Sequence, residues 1–312
     1  MRVRLRGGAA AAAFLAACVA VLQVADVTVV APAPAQASAM LESQAPFGMA
    51  AGSDHEFFVT HNRLIPIGRS SIRVPILMYH YIRSAPSIYR DRLGYNLSVT
   101  PENFIAQMNW LATDGYHPVD FNDLRAYFAG LAPLPSKPVV ITFDDGYGDL
   151  YTTAYPILRS YSFKAVAYIV TSFVGQPRYV TAAQILEMDA NGIEIASHTV
   201  DHADLARTSA YWANYQLAAS RKWLQQLVGH PVVDFAYPSG RFNAQTVAAL
   251  QANGYDTAVT EFGGTMHGRG DRYTWTRVRV GGGESMADFI VNLGPPEPWI
   301  DITAVSTRQA AS

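Results

Sequence analysis

The sequence predicts an α/β protein built on a distorted (β/α) barrel, as a single domain. Three observations predict it. Apolar, strand-like runs alternate with helical segments between residues 74 and 280, the pattern of parallel sheets with helical crossovers. Three helical segments end on Asp-Gly or Asn-Gly and pass at once into the next apolar stretch, as chained βα units do. Several of those stretches are apolar throughout, as strands buried on both faces require. Roughly seven or eight such units favour closure over an open doubly wound sheet. No G-x-G-x-x-G follows the first strand and no G-x-x-x-x-G-K-[ST] occurs, so dinucleotide and P-loop readings lose their main support.

In chain order, Val74–Tyr79 is the first strand-like run. Thr100-Pro101-Glu102 opens a helix, with Thr100 as cap, Pro101 at the first helical position and Glu102 favoured by the dipole. Phe104, Ile105, Met108 and Leu111 recur at helical spacing before Asp114-Gly115 stops the run. Tyr116–Asp120, Val139–Phe143 and Ala165–Val170 read as strands. A second helix starts at Thr181, with Gln184 three residues on as a capping box. It carries Ile185, Leu186 and Met188 and ends at Asn191-Gly192. Ile193–Ser197 and Val232–Tyr237 are the next strands. A third helix runs from about Asn243 through Val247 and Leu250 to Asn253-Gly254, and Tyr255–Thr260 and Thr276–Val280 are the last strands.

The 312 residues are 50% hydrophobic and 15% charged, with a formal net charge of −2. That excludes a disordered chain, a collagen-like repeat and a strongly basic nucleic-acid binder. Arg2, Arg4 and Arg6 precede an uncharged, Ala-rich run from Gly7 to Ala25, and Ala35-Gln36-Ala37-Ser38-Ala39 offers A-x-A cleavage sites. Residues 1–39 therefore read as an export signal, which makes the protein secreted or part of the cell envelope. The run is also long enough to stay as a membrane anchor, and Leu15-Ala16-Ala17-Cys18 resembles a bacterial lipobox. Contact with a membrane is expected only through this segment. Cleavage after Ala39 removes three Arg and Asp26, taking the formal charge to −4. Residues 40–73 are polar and aperiodic and read as a linker or arm, and residues 74–312 as the barrel. Cys18 is the single cysteine, so a metal must rest on His and carboxylates.

Catalytic groups of such barrels sit where strands end, and two strand ends are unusually polar. Val139–Phe143 runs into Asp144-Asp145-Gly146; adjacent carboxylates at a buried strand mouth repel unless a cation or protons relieve them. The plain alternative is a helix cap followed by a turn acid. Ile193–Ser197 runs into His198-Thr199-Val200-Asp201-His202. One helical turn there would put both imidazoles on one face, and two His with one carboxylate form a common catalytic zinc set.

Thr142-Phe143-Asp144-Asp145-Gly146 and Ser197-His198-Thr199-Val200-Asp201-His202 together resemble the first two motifs of the polysaccharide deacetylases, the NodB-homology or carbohydrate esterase family 4 group. Pro75-Ile76-Leu77-Met78-Tyr79-His80 and Phe235-Ala236-Tyr237-Pro238-Ser239-Gly240 resemble further segments, pointing to the branch of poly-N-acetylglucosamine deacetylases. The resemblance implies a NodB-type barrel and one divalent metal, zinc first, with cobalt or nickel as alternatives. It implies Asp145, His198 and His202 as metal ligands, Asp144 as general base, the Ser239 N–H as oxyanion donor and His80 as general acid. Two positions depart from the family's pattern: Ala236 stands where an arginine is usual, and Ser239 where an aromatic residue is usual. An arginine orienting Asp144 must then come from elsewhere, with Arg241 and Arg277 as candidates.

The implied activity is removal of N-acetyl groups from N-acetylglucosamine units of an extracellular polysaccharide. Amide hydrolysis needs a nucleophile at neutral pH, oxyanion stabilisation and a proton for the leaving amine. His267, in the glycine-rich stretch Gly263–Gly268, is the rival acid, on a possible lid. Tyr81, Tyr147, Tyr237 and Trp275 are candidates to stack on sugar rings, while Trp110 and Trp223 read as core. His55, His61, His117 and His230 show no partner at useful spacing. The alternatives are an O-acetyl esterase on a xylan-like glycan and a non-catalytic carbohydrate-binding protein on the same scaffold. A glycosidase is disfavoured, since it leaves the two histidines unexplained and neighbouring strand residues point to opposite sides.

Overall fold

Seven parallel strands close a ring among the described residues, which are 63–301 of this computed structural model. The strands are β1 (Ile76–Tyr79), β2 (Pro138–Phe143), β3 (Ala165–Ile169), β4 (Ile193–Ser197), β5 (Asp234–Ala236), β6 (Thr257–Gly263) and β7 (Trp275–Arg279). Each pairs with the next in sequence, and β7 pairs with β1, so the result is a distorted (β/α) barrel of the NodB type. Residues 1–39 with Cys18, and His55 and His61, lie outside the described residues.

Strand alternation sorts side chains into two layers. Ile76, Val140, Val166, Tyr168, Ala196, Ala236, Val259 and Trp275 form one buried cluster with Phe121, Leu124 and Tyr127. This is the barrel interior, plugged at the strands' N-terminal ends by the helix Phe121–Phe128, whose Phe121 N–H donates to Glu194 and whose Arg125 pairs with Asp234. Leu77, Ile141, Phe143, Ala167, Ile169 and Ile195 face the other way and pack beneath the surrounding helices. Continuing the inward set in steps of two puts His80, Asp144 and His198 at the C-terminal mouth. Arg277 and Arg279 follow Trp275 by the same rule.

The capped helices form where their local signals put them. Helix α1 (Pro101–Thr113) is capped by Thr100, α2 (Ala182–Ala190) by the Thr181–Gln184 capping box, and α4 (Ala244–Ala252) by Asn243. Between the last two runs α3 (Ala210–Val228), of which the sequence shows only the helical pattern around Trp223. Trp223 on this helix is 37% exposed rather than core, because Leu217 and Leu224 occupy the buried face. Trp110 does pack inward, against Tyr116 and Phe289. The stretch Tyr116–Asp120 gives only a two-residue strand, His117–Pro118, paired to β2 outside the ring. Within the expected arm, Arg63–Ile65 pairs with Leu134–Pro135 and Ile300–Asp301, and Ser71–Arg73 pairs with Met266–Gly268.

Candidate active site

Asp144 is the first residue past β2. Burial pushes its carboxyl up, but the Arg277 guanidinium outweighs burial and holds it well below the usual carboxylate range. Arg277 has no exposed surface; Nη1 and Nη2 donate to Asp144 Oδ1 and Oδ2, each at 2.7 Å. Its Nε donates to Thr260 O at 2.8 Å and Nη1 also to Thr142 Oγ1 at 3.1 Å. Of the two arginines named from sequence, Arg277 is therefore the partner of Asp144. Arg241 is an exposed partner of Asp204.

Asp145 turns out of the strand with φ +71°, a left-handed conformation costly for a non-glycine residue. That twist sets its carboxylate toward the two histidines. Asp145 Oδ1 is buried, has no hydrogen-bond partner, and lies 3.4 Å from Nε2 of both His198 and His202. Candidate ligand atoms of the three residues lie within 4.8 Å of one another. His198 Nδ1 is 2.8 Å from Ala236 O, which fixes the ring's orientation and leaves Nε2 free as a ligand. Burial lowers His198, but Asp145 and Asp144 overcome it and the net shift is upward; His202 is lowered, by burial and then by His198. An orphaned buried carboxylate oxygen facing two imidazole nitrogens is a donor set that fits a divalent cation.

The histidines meet through a tight turn rather than a helical one. Thr199 and His202 have φ of +72° and +62°. Thr199 Oγ1 accepts from His202 N at 2.9 Å, and Gln216 Oε1 of α3 accepts from Val200 N at 2.8 Å and Asp201 N at 3.2 Å. Gln216 and Thr199 had no sequence signal: one lies beyond local spacing, the other inside the motif without a role.

His80, just past β1, is buried with Nε2 3.9 Å from Asp144 Oδ2. Burial lowers its pKa; Asp144 and Asp145 pull it up, and Arg277 and Arg279 add to the depression. Ser239, exposed in the turn after β5, is held at φ +55°. Tyr147 is partly exposed but sandwiched between Tyr81 at 3.7 Å and Tyr179 at 5.2 Å, so its edge and hydroxyl are what it presents. Tyr81 is covered on its other side by the Arg83 guanidinium.

Three expectations are corrected. Trp275 is 1% exposed at the N-terminal end of β7, stacked on Phe121, with Nε1 donating to Gly268 O; no sugar reaches it. Tyr237 is fully buried, stacked on Phe242 and donating its hydroxyl to Tyr273 O. His267 lies in the strand paired with Ser71–Arg73, against Trp275, with 1% exposure. It therefore sits at the closed end of the barrel, opposite His80, and its loop is a paired strand. His117 and His230 are ordinary: one is bonded to Ser136 O, the other, itself exposed, to Asp189.

A polysaccharide deacetylase family model matches residues 132–258. The chain is 34% identical over 217 residues to "Putative polysaccharide deacetylase YxkH" of Bacillus subtilis (strain 168), covering 70% of this chain and 75% of that one. It is 28% identical over 207 residues to a poly-beta-1,6-N-acetyl-D-glucosamine N-deacetylase of Escherichia coli (strain K12), covering 53% of this chain and 31% of that protein. Among solved structures, the Streptococcus pyogenes deacetylase PplD in complex with acetate is similar with TM-score 0.66 and 29% identity, over 72% of this chain and 99% of that one. With 70% of the chain aligned to such a relative and the Asp-His-His cluster at the barrel mouth, the chain belongs to the polysaccharide deacetylase family, as a deacetylase hydrolase of the NodB type.

Proposed function

We propose that the protein removes N-acetyl groups from N-acetylglucosamine units of an extracellular polysaccharide, poly-β-1,6-N-acetylglucosamine first. The observation that carries this reading is one mouth holding an Arg-clamped carboxylate, an Asp-His-His set and a buried imidazole. The similarity to poly-β-1,6-N-acetylglucosamine deacetylases supports the substrate class. The export signal read in residues 1–39 supports an extracellular polymer.

Asp145, His198 and His202 would hold a divalent ion, zinc by donor type, which would supply the Lewis acidity that acidifies water and polarises the acetyl carbonyl. Asp144 accepts the proton of the attacking water at a carboxylate oxygen; the Arg277 fork holds that carboxylate ionised and in one orientation. The Ser239 backbone N–H donates to the developing oxyanion. His80 Nε2, 3.9 Å from Asp144 Oδ2, takes up the proton that Asp144 accepts from water and delivers it to the leaving nitrogen, its lowered pKa favouring release. The C–N bond breaks, giving acetate and a free amine. Tyr147 offers a hydroxyl at the edge of the mouth to sugar hydroxyls.

Acetate release from β-1,6-linked N-acetylglucosamine oligomers, set beside O-acetylated xylan, tests the reading. Release from the first, lost with chelator and restored by zinc or cobalt, is expected. Release from xylan alone would make the protein an O-acetyl esterase, and oligomer binding without turnover under any metal would make it a binding module.

A further inference from the structure

A cavity of about 620 Å³ lies between the helix Arg92–Leu97 and α5 (Met286–Leu293). Its walls include Leu93, Asn96, Arg279, Glu284, Asp288 and Val291, and of these only Arg279, which helps hold the His80 pKa down, bears on the chemistry above. Arg279 joins the cavity to the catalytic mouth: it ends β7, and its partner across the sheet is Met78, two residues before His80.

The wall is closely built. The loop after β7 lies against the backbone of the helix Arg92–Leu97, where a Cβ on Gly281 would stand 2.2 Å from Asn96 O and one on Gly282 2.7 Å from Asn96 Cα. Gly282 N donates to Ser98 O at 3.2 Å. Only glycines allow that approach, and it sets the cavity's shape.

Its chemistry is selective. Arg279 is already neutralised by Glu261, so the charge left facing the cavity is that of Glu284 and Asp288. Glu284 is oriented by Asn292 Nδ2 at 2.7 Å, and Asp288 by Ser285. At the rim, Leu93 and Val291 stand 70% and 74% exposed, apolar surface of the kind that covers the C–H face of a pyranose. The volume is that of a small-ligand cleft. Negative charge, amide and carboxylate hydrogen-bonding groups, and an apolar rim together suit a cationic amino sugar.

We propose that this cavity is a subsite for a de-N-acetylated glucosamine unit of the same polymer, with its ammonium toward Glu284 and Asp288 and its apolar face on Leu93 and Val291. The proposal rests on the deacetylase reading, since such units are that reaction's product and carry a charge the substrate lacks. A polymer already deacetylated at one unit is thereby retained beside the mouth, and deacetylation continues on the chain where it began.

The test titrates a fully deacetylated β-1,6-glucosamine trimer, and separately its acetylated counterpart, into the full chain by calorimetry. V291K sets a cation at the exposed rim, and D288N removes one carboxylate. Expected are tighter binding of the glucosamine trimer than of the acetylated one, weakening at high salt, and a loss of about tenfold in V291K and in D288N. Acetate release from a small acetylated substrate is expected to be unchanged in V291K. Equal binding of the two trimers, or V291K binding as wild type does, overturns the subsite. Acetate release reads the deacetylase assignment separately: glucosamine binding that V291K weakens, in an enzyme that releases no acetate, upholds the subsite and breaks that assignment.

Discussion

Arg277 carries a full charge with no exposed surface, which is tolerable only because all three of its nitrogens donate to acceptors and its charge meets Asp144. Removing it strands a buried carboxylate. R277M should lose about 3–5 kcal/mol of stability, read by denaturant melts, and most of its acetate release. R277K keeps a charge but not the fork; kcat should fall about tenfold with KM nearly unchanged, since the fork orients the base and touches no substrate. In sequence Arg277 and Arg241 were equal candidates. Their difference comes from barrel closure, which brings β7 beside β1 and so within reach of Asp144, and no local spacing encodes that. Asp145, His198 and His202 were legible because their ligand types cluster in two short motifs. The misplacement of the two aromatics has the opposite cause: a ring near a motif reveals neither which end of its strand it occupies, as for Trp275, nor which face it takes, as for Tyr237, which follows the inward Ala236 and so turns out beneath the helices.

At the scale of elements, the helices that sequence located are those with local start signals: Thr100, the Thr181–Gln184 box and Asn243. Helix α3 shows in the sequence only as a helical pattern around Trp223, without bounds, although Ser209 caps it and Gly229 ends it, because its exposed aromatic residues blur the apolar period. That helix holds the metal-site turn through Gln216. Q216L leaves two backbone N–H groups of the turn unpaired, costing about 1–3 kcal/mol, and should weaken zinc binding by about 10–100-fold, measured by competition with a chelating dye. The turn after β5 gives a second test. Ser239 sits at φ +55°, so S239G should preserve stability and activity, whereas S239V should destabilise by about 1–2 kcal/mol and slow acetate release.

For the whole molecule, the barrel has a chemical end and a closed end, and the two buried histidines His80 and His267 mark them. His267 is lowered to about 4 by burial, against the pull of Asp271, with neither ring nitrogen hydrogen-bonded. A histidine whose folded pKa lies below its unfolded value contributes nothing at pH 8. Its cost appears as pH falls below about 6.5 and is complete once pH is below the folded pKa. Between pH 7.5 and 4.5 it should remove about 2–3 kcal/mol of stability, and H267M should lose less over that window, in urea melts at the two pH values. The ring of seven strands was legible from alternation and apolar runs; which groups share the mouth followed once the inward residues of each strand were counted to their ends.

The most direct test of the central claim, that one mouth unites an Asp-His-His metal site with Asp144 as base, is zinc titration into chelator-treated enzyme with acetate release recorded. About one equivalent should restore release in the wild type, and D144N should bind zinc with similar affinity yet stay silent. Acetate release that survives chelation, or a D144N variant that turns over at the wild-type rate, would contradict it.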